Sequence, residues 1–147
     1  MRAVLTRVAS ASVSVEGKVI GQIGKGFLIL LGVHVNDTEA DADRIADRIC
    51  GLRIFEDDAG KMNVSPADAG AELLIISQFT LYADTRSRRP GFTAAARPDT
   101  AIPLYERVIE QCRAKGFHVE TGEFGAEMQV SSVNDGPVTI ILESILN

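Results

Sequence analysis

Four consecutive aliphatic residues, Leu73-Leu74-Ile75-Ile76, run directly into Ser77-Gln78-Phe79-Thr80-Leu81. The run is opened by Gly70 and closed by Asp84, too short and too β-branched for a stable helix, and it predicts a strand over Leu73–Leu81 buried on both faces. A strand of that kind has few places to sit other than the centre of a sheet covered on either side. Its polar end is the unusual part. Buried hydroxyl and amide groups cost about 1–3 kcal/mol each when unpaired, so Ser77, Gln78 and Thr80 either bond to neighbouring loops or face a used opening.

The remaining chain supplies partners for that strand. In Ala3–Val15 the odd positions Ala3, Leu5, Ala9, Ala11, Val13 and Val15 are apolar, and Thr6, Ser10, Ser12 and Ser14 lie between them. Period two predicts a long strand with one buried face. Glu16-Gly17-Lys18 is a turn, Val19, Ile20 and Ile23 carry a return strand, and Phe27–Val33 is a second continuous apolar run. Asn36-Asp37-Thr38 offers helix N-cap chemistry, and Ala42, Ile45, Ala46, Ile49 and Cys50 follow at amphipathic-helix spacing. Strand Leu52–Phe55, the turn Asp57–Gly60 and loop Val64–Asp68 come next. A second helix is predicted from Asp99 or Thr100 to Gly116, with Pro103 in its first turn and Leu104, Val108, Ile109 and Cys112 on one face. Strands Phe117–Val119, Met128–Val133 and Val138–Ile145 close the chain, the last two separated by a turn at Asn134-Asp135-Gly136-Pro137.

This order predicts an α/β fold: a single three-layer domain over 1–147, of mixed β-sheets with the two main helices packed on one side. A chain of 147 residues that is 46% hydrophobic can bury a substantial core. Much of the apolar strand surface is expected to meet a partner subunit. No basic leader precedes a long apolar block and no run reaches membrane-spanning length, so a cytoplasmic location with no membrane contact is expected. Cys50 and Cys112 both fall at apolar helix positions and read as small core residues rather than as a disulfide or ligand pair.

Conventional catalytic groups are scarce. His34 and His118 stand alone, without a carboxylate or cysteine at ligand spacing, and Gly21, Gly24 and Gly26 lack the ending of a phosphate loop. Neither a metal nor a cofactor is expected. The net charge of −5 removes any general attraction to nucleic acid. Yet Arg86, Arg88, Arg89 and Arg97 lie between Thr85 and Arg97 with no acidic residue among them, an island that suits either a solvated loop or a phosphate-binding edge. At Asn134–Thr139 a Gly-Pro step stands where Asp-Gly alone would make a hairpin; an ordinary tight turn and a fixed turn presenting its carbonyls both remain open.

Ser77-Gln78-Phe79-Thr80-Leu81 and Asn134-Asp135-Gly136-Pro137-Val138-Thr139 together resemble the two signature motifs of the D-aminoacyl-tRNA deacylase family. The likeness extends through Arg7-Val8, Ala11-Ser12-Val13, Gly51-Leu52-Arg53-Ile54-Phe55, Gly60-Lys61-Met62-Asn63 and Met128-Gln129-Val130, and so over essentially the whole chain. Gly91 departs from it, standing in Arg89-Pro90-Gly91-Phe92 where the family commonly has serine.

The resemblance implies a homodimeric hydrolase that cuts the ester between a D-amino acid, or glycine, and the 3′-terminal adenosine of tRNA, rejecting L-aminoacyl-tRNA. It implies a cis Gly136-Pro137 bond reaching into the partner's pocket, with the carbonyls of Gly136 and Pro137, aided by Val138 and Thr139, judging chirality. Ser77, Gln78, Phe79 and Thr80 would form the opposite wall, the backbone N–H groups of Phe79 and Thr80 lying near the scissile carbonyl. Arg86, Arg88, Arg89 and Arg97 would meet the acceptor end of tRNA. The alternative is a non-catalytic nucleic-acid-binding protein using the same basic edge.

Overall fold

A computed structural model describes residues 1–145. Strand β1 (Arg2–Val15) forms a hairpin with β2 (Lys18–Ile23), and β3 (Gly26–Gly32) continues along the same edge of β1. Helix α1 (Glu39–Gly51) leads to a two-stranded ribbon, β4 (Phe55–Glu56) with β5 (Met62–Val64). Strand β6 (Glu72–Ser77), helix α2 (Pro98–Ala114), β7 (Val119–Thr121) and β8 (Gln129–Glu143) complete the order.

The main sheet is mixed. β6 lies between β3 and β7 and is parallel to both, while β1 is antiparallel to β2, β3 and, on its other edge, β8. The expected double burial of the Leu73 run is observed. Leu73 and Ile75 point into the core under the helices, with Leu5, Phe27, Ile29, Ile45, Ile49, Leu104 and Val108. Leu74 and Ile76 point the other way, into a smaller cluster with Val8, Ala11, Val13, Ile23 and Leu28. Each such side chain contributes about 1.5–3 kcal/mol, which places β6 among the most firmly held segments.

Parity in β1 changes midway. Ala3 and Leu5 belong to the helix-side core, Val8, Ala11 and Val13 to the opposite one, and Ala9, expected inside, is exposed. A register shift between Val8 and Ser10 against β8 produces the change, and it lets one strand serve both cores. The two helices pack on the sheet as expected. Thr38 N–H donates to Asp41 Oδ2 (2.9 Å), while Arg44 Nη2 and Ser144 Oγ each donate to Oδ1 at 3.0 Å. Burial opposes ionisation of Asp41, but these donors prevail and hold its pKa at about 2. α2 starts at Pro98, earlier than expected, so Pro103 lies beyond the first turn and leaves the Asp99 carbonyl without its helical partner. Both residues are exposed, and water can satisfy that carbonyl.

Other boundaries also differ from expectation: the strand expected over Leu52–Phe55 begins only at Phe55, and Val64, expected in a loop, closes its pairing partner β5. β6 stops at Ser77 because Phe79–Tyr82 winds into a 3-10 turn. β7 begins at Val119, after a Gly116 at φ +95° that ends the helix. Met128–Val133 and Val138–Ile145 are not two strands joined by a hairpin turn but one strand, β8, with Asp135–Val138 standing out of it as a bulge. Among the described residues, no helix is long and apolar enough to cross a membrane.

Candidate active site

Parallel strands leave their carboxyl ends free for a ligand crevice, and β6 ends at such an opening. Gln78 N–H donates to Leu31 O (2.8 Å), the last bond to β3, after which Leu81 N–H bonds back to Gln78 O (3.3 Å) and closes the 3-10 turn. Gly32 makes room for it. A Cβ there would stand 3.0 Å from Gln78 O and 3.1 Å from Leu81 Cβ. Arg2 secures the far side: its Nη1 donates to Leu81 O (2.8 Å) and its guanidinium lies 4.8 Å from the centre of the Tyr82 ring. As the first residues of the turn, Phe79 and Thr80 have no carbonyl inside it to receive their N–H groups. Two neighbouring backbone donors on a fixed base are therefore left without a partner inside the turn.

Beside them is a cavity of about 290 Å³. Its lining includes Ser77, Gln78 and Phe79, Ala101 and Tyr105 of α2, and Phe124, Met128 and Val130. Tyr105 O–H donates to Ile75 O (2.7 Å), and burial raises its phenol pKa, so the ring acts as wall rather than base. No histidine, cysteine or carboxylate is among the lining residues. Thr80 Oγ1 is 2.5 Å from Gln78 Nε2, which donates to it, and Phe79 packs edge-on against Phe92 (centroids 5.1 Å). The four residues Ser77–Thr80 thus form one surface, half-buried at Ser77 and Gln78 and exposed at Phe79 and Thr80.

The second motif lies elsewhere. Where β1 advances from Thr6 to Val8, β8 runs from Thr139 to Asn134, so Asp135–Val138 oppose the single residue Arg7. Gly136 and Pro137 are exposed, their peptide bond is cis, and Gly136 adopts φ +122°. Arg7 lies behind them, 5% exposed, with Nη1 donating to Ile54 O (2.7 Å) and Nε to Asp135 O (3.3 Å). Val138 turns partly into the helix-side core and Thr139 resumes the ladder opposite Thr6.

The arginine island is a loop pinned at its neck by mutual bonds between Asp84 and Gly91 (2.7 and 3.0 Å), a backbone role for Gly91 that needs no side chain. Arg86 folds onto Asp84 (2.5 Å), which lowers the carboxyl pKa; Arg88, Arg89 and Arg97 are exposed and form no ion pair among the described residues. The four are therefore unequal. His34 Nδ1 accepts the Asn36 N–H (3.0 Å), a local turn contact.

Arg7, Tyr105, Phe124 and Met128 stand beside the two motifs although the sequence assigned none of them a site role; Arg7 and Met128 fall within stretches that carry the family likeness. Arg7 had a signal, since it interrupts the odd-numbered apolar series of β1. Tyr105 and Phe124 had none, being ordinary apolar-face or loop residues until the fold gathers them.

A model of the family described as D-Tyr-tRNA(Tyr) deacylase matches residues 4–143. The chain is 57% identical to a D-aminoacyl-tRNA deacylase of Symbiobacterium thermophilum over 98% of this chain and 96% of that one. It is 55% identical to the protein of the same name from Desulfitobacterium hafniense, over 100% and 99%. Among solved structures, that of a c-Myc DNA Unwinding Element Binding Protein superposes with a TM-score of 0.93 at 41% identity, covering 99% of this chain and 100% of that chain. A probable eukaryotic D-amino acid tRNA deacylase shares the fold with a TM-score of 0.85 at 16% identity. Sequence likeness that runs nearly end to end, through both the Ser77–Leu81 turn and the Gly136-Pro137 bulge, leaves one assignment: the chain belongs to the D-Tyr-tRNA(Tyr) deacylase family.

Proposed function

We propose that this protein hydrolyses the ester of D-aminoacyl-tRNA and glycyl-tRNA, sparing L-aminoacyl-tRNA, as a homodimer in which Gly136-Pro137 of one protomer enters the partner's cavity. Family membership supports the reaction class, and sheet register supports the crossing. Gly136 and Pro137 lie opposite Arg7, which pairs with Phe27, which pairs with Leu73; Ser77 is four residues farther along β6 and three strands away from β8. At roughly 3.3 Å per residue and 4.8 Å per strand the two motifs are on the order of 15–20 Å apart in one chain. They meet only if a second copy supplies one of them. The apolar residues Val133 and Ile141 of β8 are 60% and 63% exposed along an outer edge that pairs with no other strand among the described residues, a surface suited to a second copy.

The chemistry needs little. An aminoacyl ester is already reactive, and the N–H groups of Phe79 and Thr80 would take up the charge developing on its carbonyl oxygen, each donor lowering the barrier by about 3–4 kcal/mol. The apolar cavity suits the terminal adenine, and the ribose 2′-hydroxyl of the substrate can orient the attacking water. Rigid carbonyls of Gly136 and Pro137 would occupy the space an L side chain needs, whatever that side chain is. Glycine has none and passes. Thr80 as a covalent nucleophile is disfavoured, because the nearest group to its hydroxyl is the Gln78 amide, which donates to it and is no base. Arg88, Arg89 and Arg97 would hold phosphates of the acceptor end.

Paired deacylation of D-tyrosyl-tRNA, L-tyrosyl-tRNA and glycyl-tRNA tests this. Cleavage of the first and third with the second spared is the expected result, and equal cleavage of both enantiomers, or of neither, overturns it. A second reading follows from the likeness to the DNA-unwinding-element binding protein together with the exposed arginines: nucleic-acid binding without hydrolysis. In the same assay it predicts retention of labelled tRNA with every ester intact.

A further inference from the structure

Cys50 and Cys112, expected to be unrelated core residues, face each other across the two helices with their sulfurs 3.6 Å apart. Both are free thiols, Cys50 half-buried in the last turn of α1 and Cys112 fully buried near the end of α2. We propose that these two cysteines are a reversible oxidation site that takes a peroxide-class oxidant and closes to a disulfide joining α1 to α2.

Geometry supports closure. A disulfide needs about 2.05 Å between sulfurs, so the gap to be covered is about 1.5 Å, within reach of side-chain rotation without moving either helix far. Salt bridges of Arg107 with Asp43 (2.8 Å) and of Lys115 with Asp47 (2.7 Å) already hold the helices side by side. Chemistry supports an order of events. Cys50 is the sulfur that solvent can reach; the hydrogen bond it shares with Cys112 lowers its pKa, burial opposes this, and the Lys115 charge assists. Cys112 is pushed up by the same bond and by burial. Cys50 thiolate therefore attacks one peroxide oxygen, the O–O bond breaks, and water leaves with a proton taken up, giving a sulfenic acid. The Cys112 sulfur then attacks the Cys50 sulfur, its proton leaves with the sulfenic hydroxyl as a second water, and the S–S bond forms. One peroxide is reduced and two thiols are oxidised; a dithiol reverses the bond by exchange.

The bond would tie a segment whose other end matters, because α2 supplies Ala101 and Tyr105 to the cavity. Hydrogen peroxide titration of the full chain, read by intact mass, free-thiol count and peptide mapping, tests the proposal. Expected are a species lighter by two hydrogens with a Cys50–Cys112 crosslinked peptide, restoration by dithiothreitol, and an unfolding midpoint raised by roughly 5–15 °C by closure of the loop. Cys50→Ser should lose all three signatures, as should Cys112→Ala. If the buried variant does not fold, Cys50→Ser and the wild-type peptide map decide alone. Two free thiols persisting under oxidation, a sulfinic acid at Cys50 with Cys112 unmodified, or crosslinks only between chains would overturn it.

Discussion

The end of β6 and the bulge of β8 carry the two motifs and are built in opposite ways. Ser77–Thr80 grows out of a strand buried on both faces and is tied down on either side by Leu31 and Arg2. Gly136-Pro137 stands on an exposed edge with one buried cation, Arg7, behind it. The first is grown from a core and braced on both sides, whereas the second is held out from an edge and stiffened locally, as the proposed crossing to a partner protomer requires. Substitutions in the two regions should accordingly fail differently, the first in rate and the second in chiral discrimination.

The largest effect is expected from Phe79→Pro. Proline is tolerated at the first position of a helical turn but removes the N–H, so the deacylation rate should fall by roughly 10²–10³. Phe79→Leu and Thr80→Ala keep both donors and should stay within several-fold of wild type in the same single-turnover assay. Should Thr80→Ala match the proline variant, covalent catalysis would return.

Gly136→Ala probes the other region. Gly136 sits at φ +122°, and a Cβ there would meet Val138 Cγ2 at 2.8 Å and Val138 N at 2.9 Å, so the bulge must shift at a cost of about 1–3 kcal/mol. L-tyrosyl-tRNA should become a substrate, or both enantiomers be lost together, while urea denaturation stays cooperative and shows a stability lower by that same amount. Unaltered stereoselectivity would detach the bulge from chirality.

Asp41→Asn is the control for fold without site. A carboxyl held at about 2 when folded and near 3.9 unfolded contributes about 2 kcal/mol, present above the unfolded value and lost as pH falls from about 4 to 2. Urea midpoints measured across that range should lose this dependence in the variant, with selectivity intact at neutral pH. The smallest effect is expected at the basic edge: replacing Arg88 and Arg89 by alanine should weaken tRNA binding equally for all aminoacyl groups. It should also flatten the salt dependence by about 0.7–0.9 per lost phosphate contact.

How legible these regions are in the sequence follows the same division. Period-two and period-3.6 patterns report which face of an element is buried, and so β1, β6 and both helices are readable from residues such as Leu5, Ile75, Ile45 and Val108. Asn134–Pro137 reads as a turn in sequence, because turn chemistry and a wide bulge use the same residues and differ only in what pairs on either side. The strand end at Ser77 is overrun since Phe79 and Leu81 continue an alternating pattern that only the close pass over Gly32 interrupts. Both motifs are visible as residues, but the cavity is not. Tyr105, Phe124 and Met128 approach Ser77 through tertiary packing, for which one sequence carries no local signal, and the same holds for the two cysteines.

Mixed dimers test the cross-protomer claim most directly. Phe79→Pro and Gly136→Ala homodimers would each be defective at both sites, but a mixed dimer would hold one site with an intact turn facing an intact bulge. After unfolding and refolding in equal amounts, half the dimers are mixed, so D-selective deacylation should return to about one quarter of wild type. A mixture that never exceeds the average of its two parents would mean that each chain builds its site alone, and would contradict the crossing.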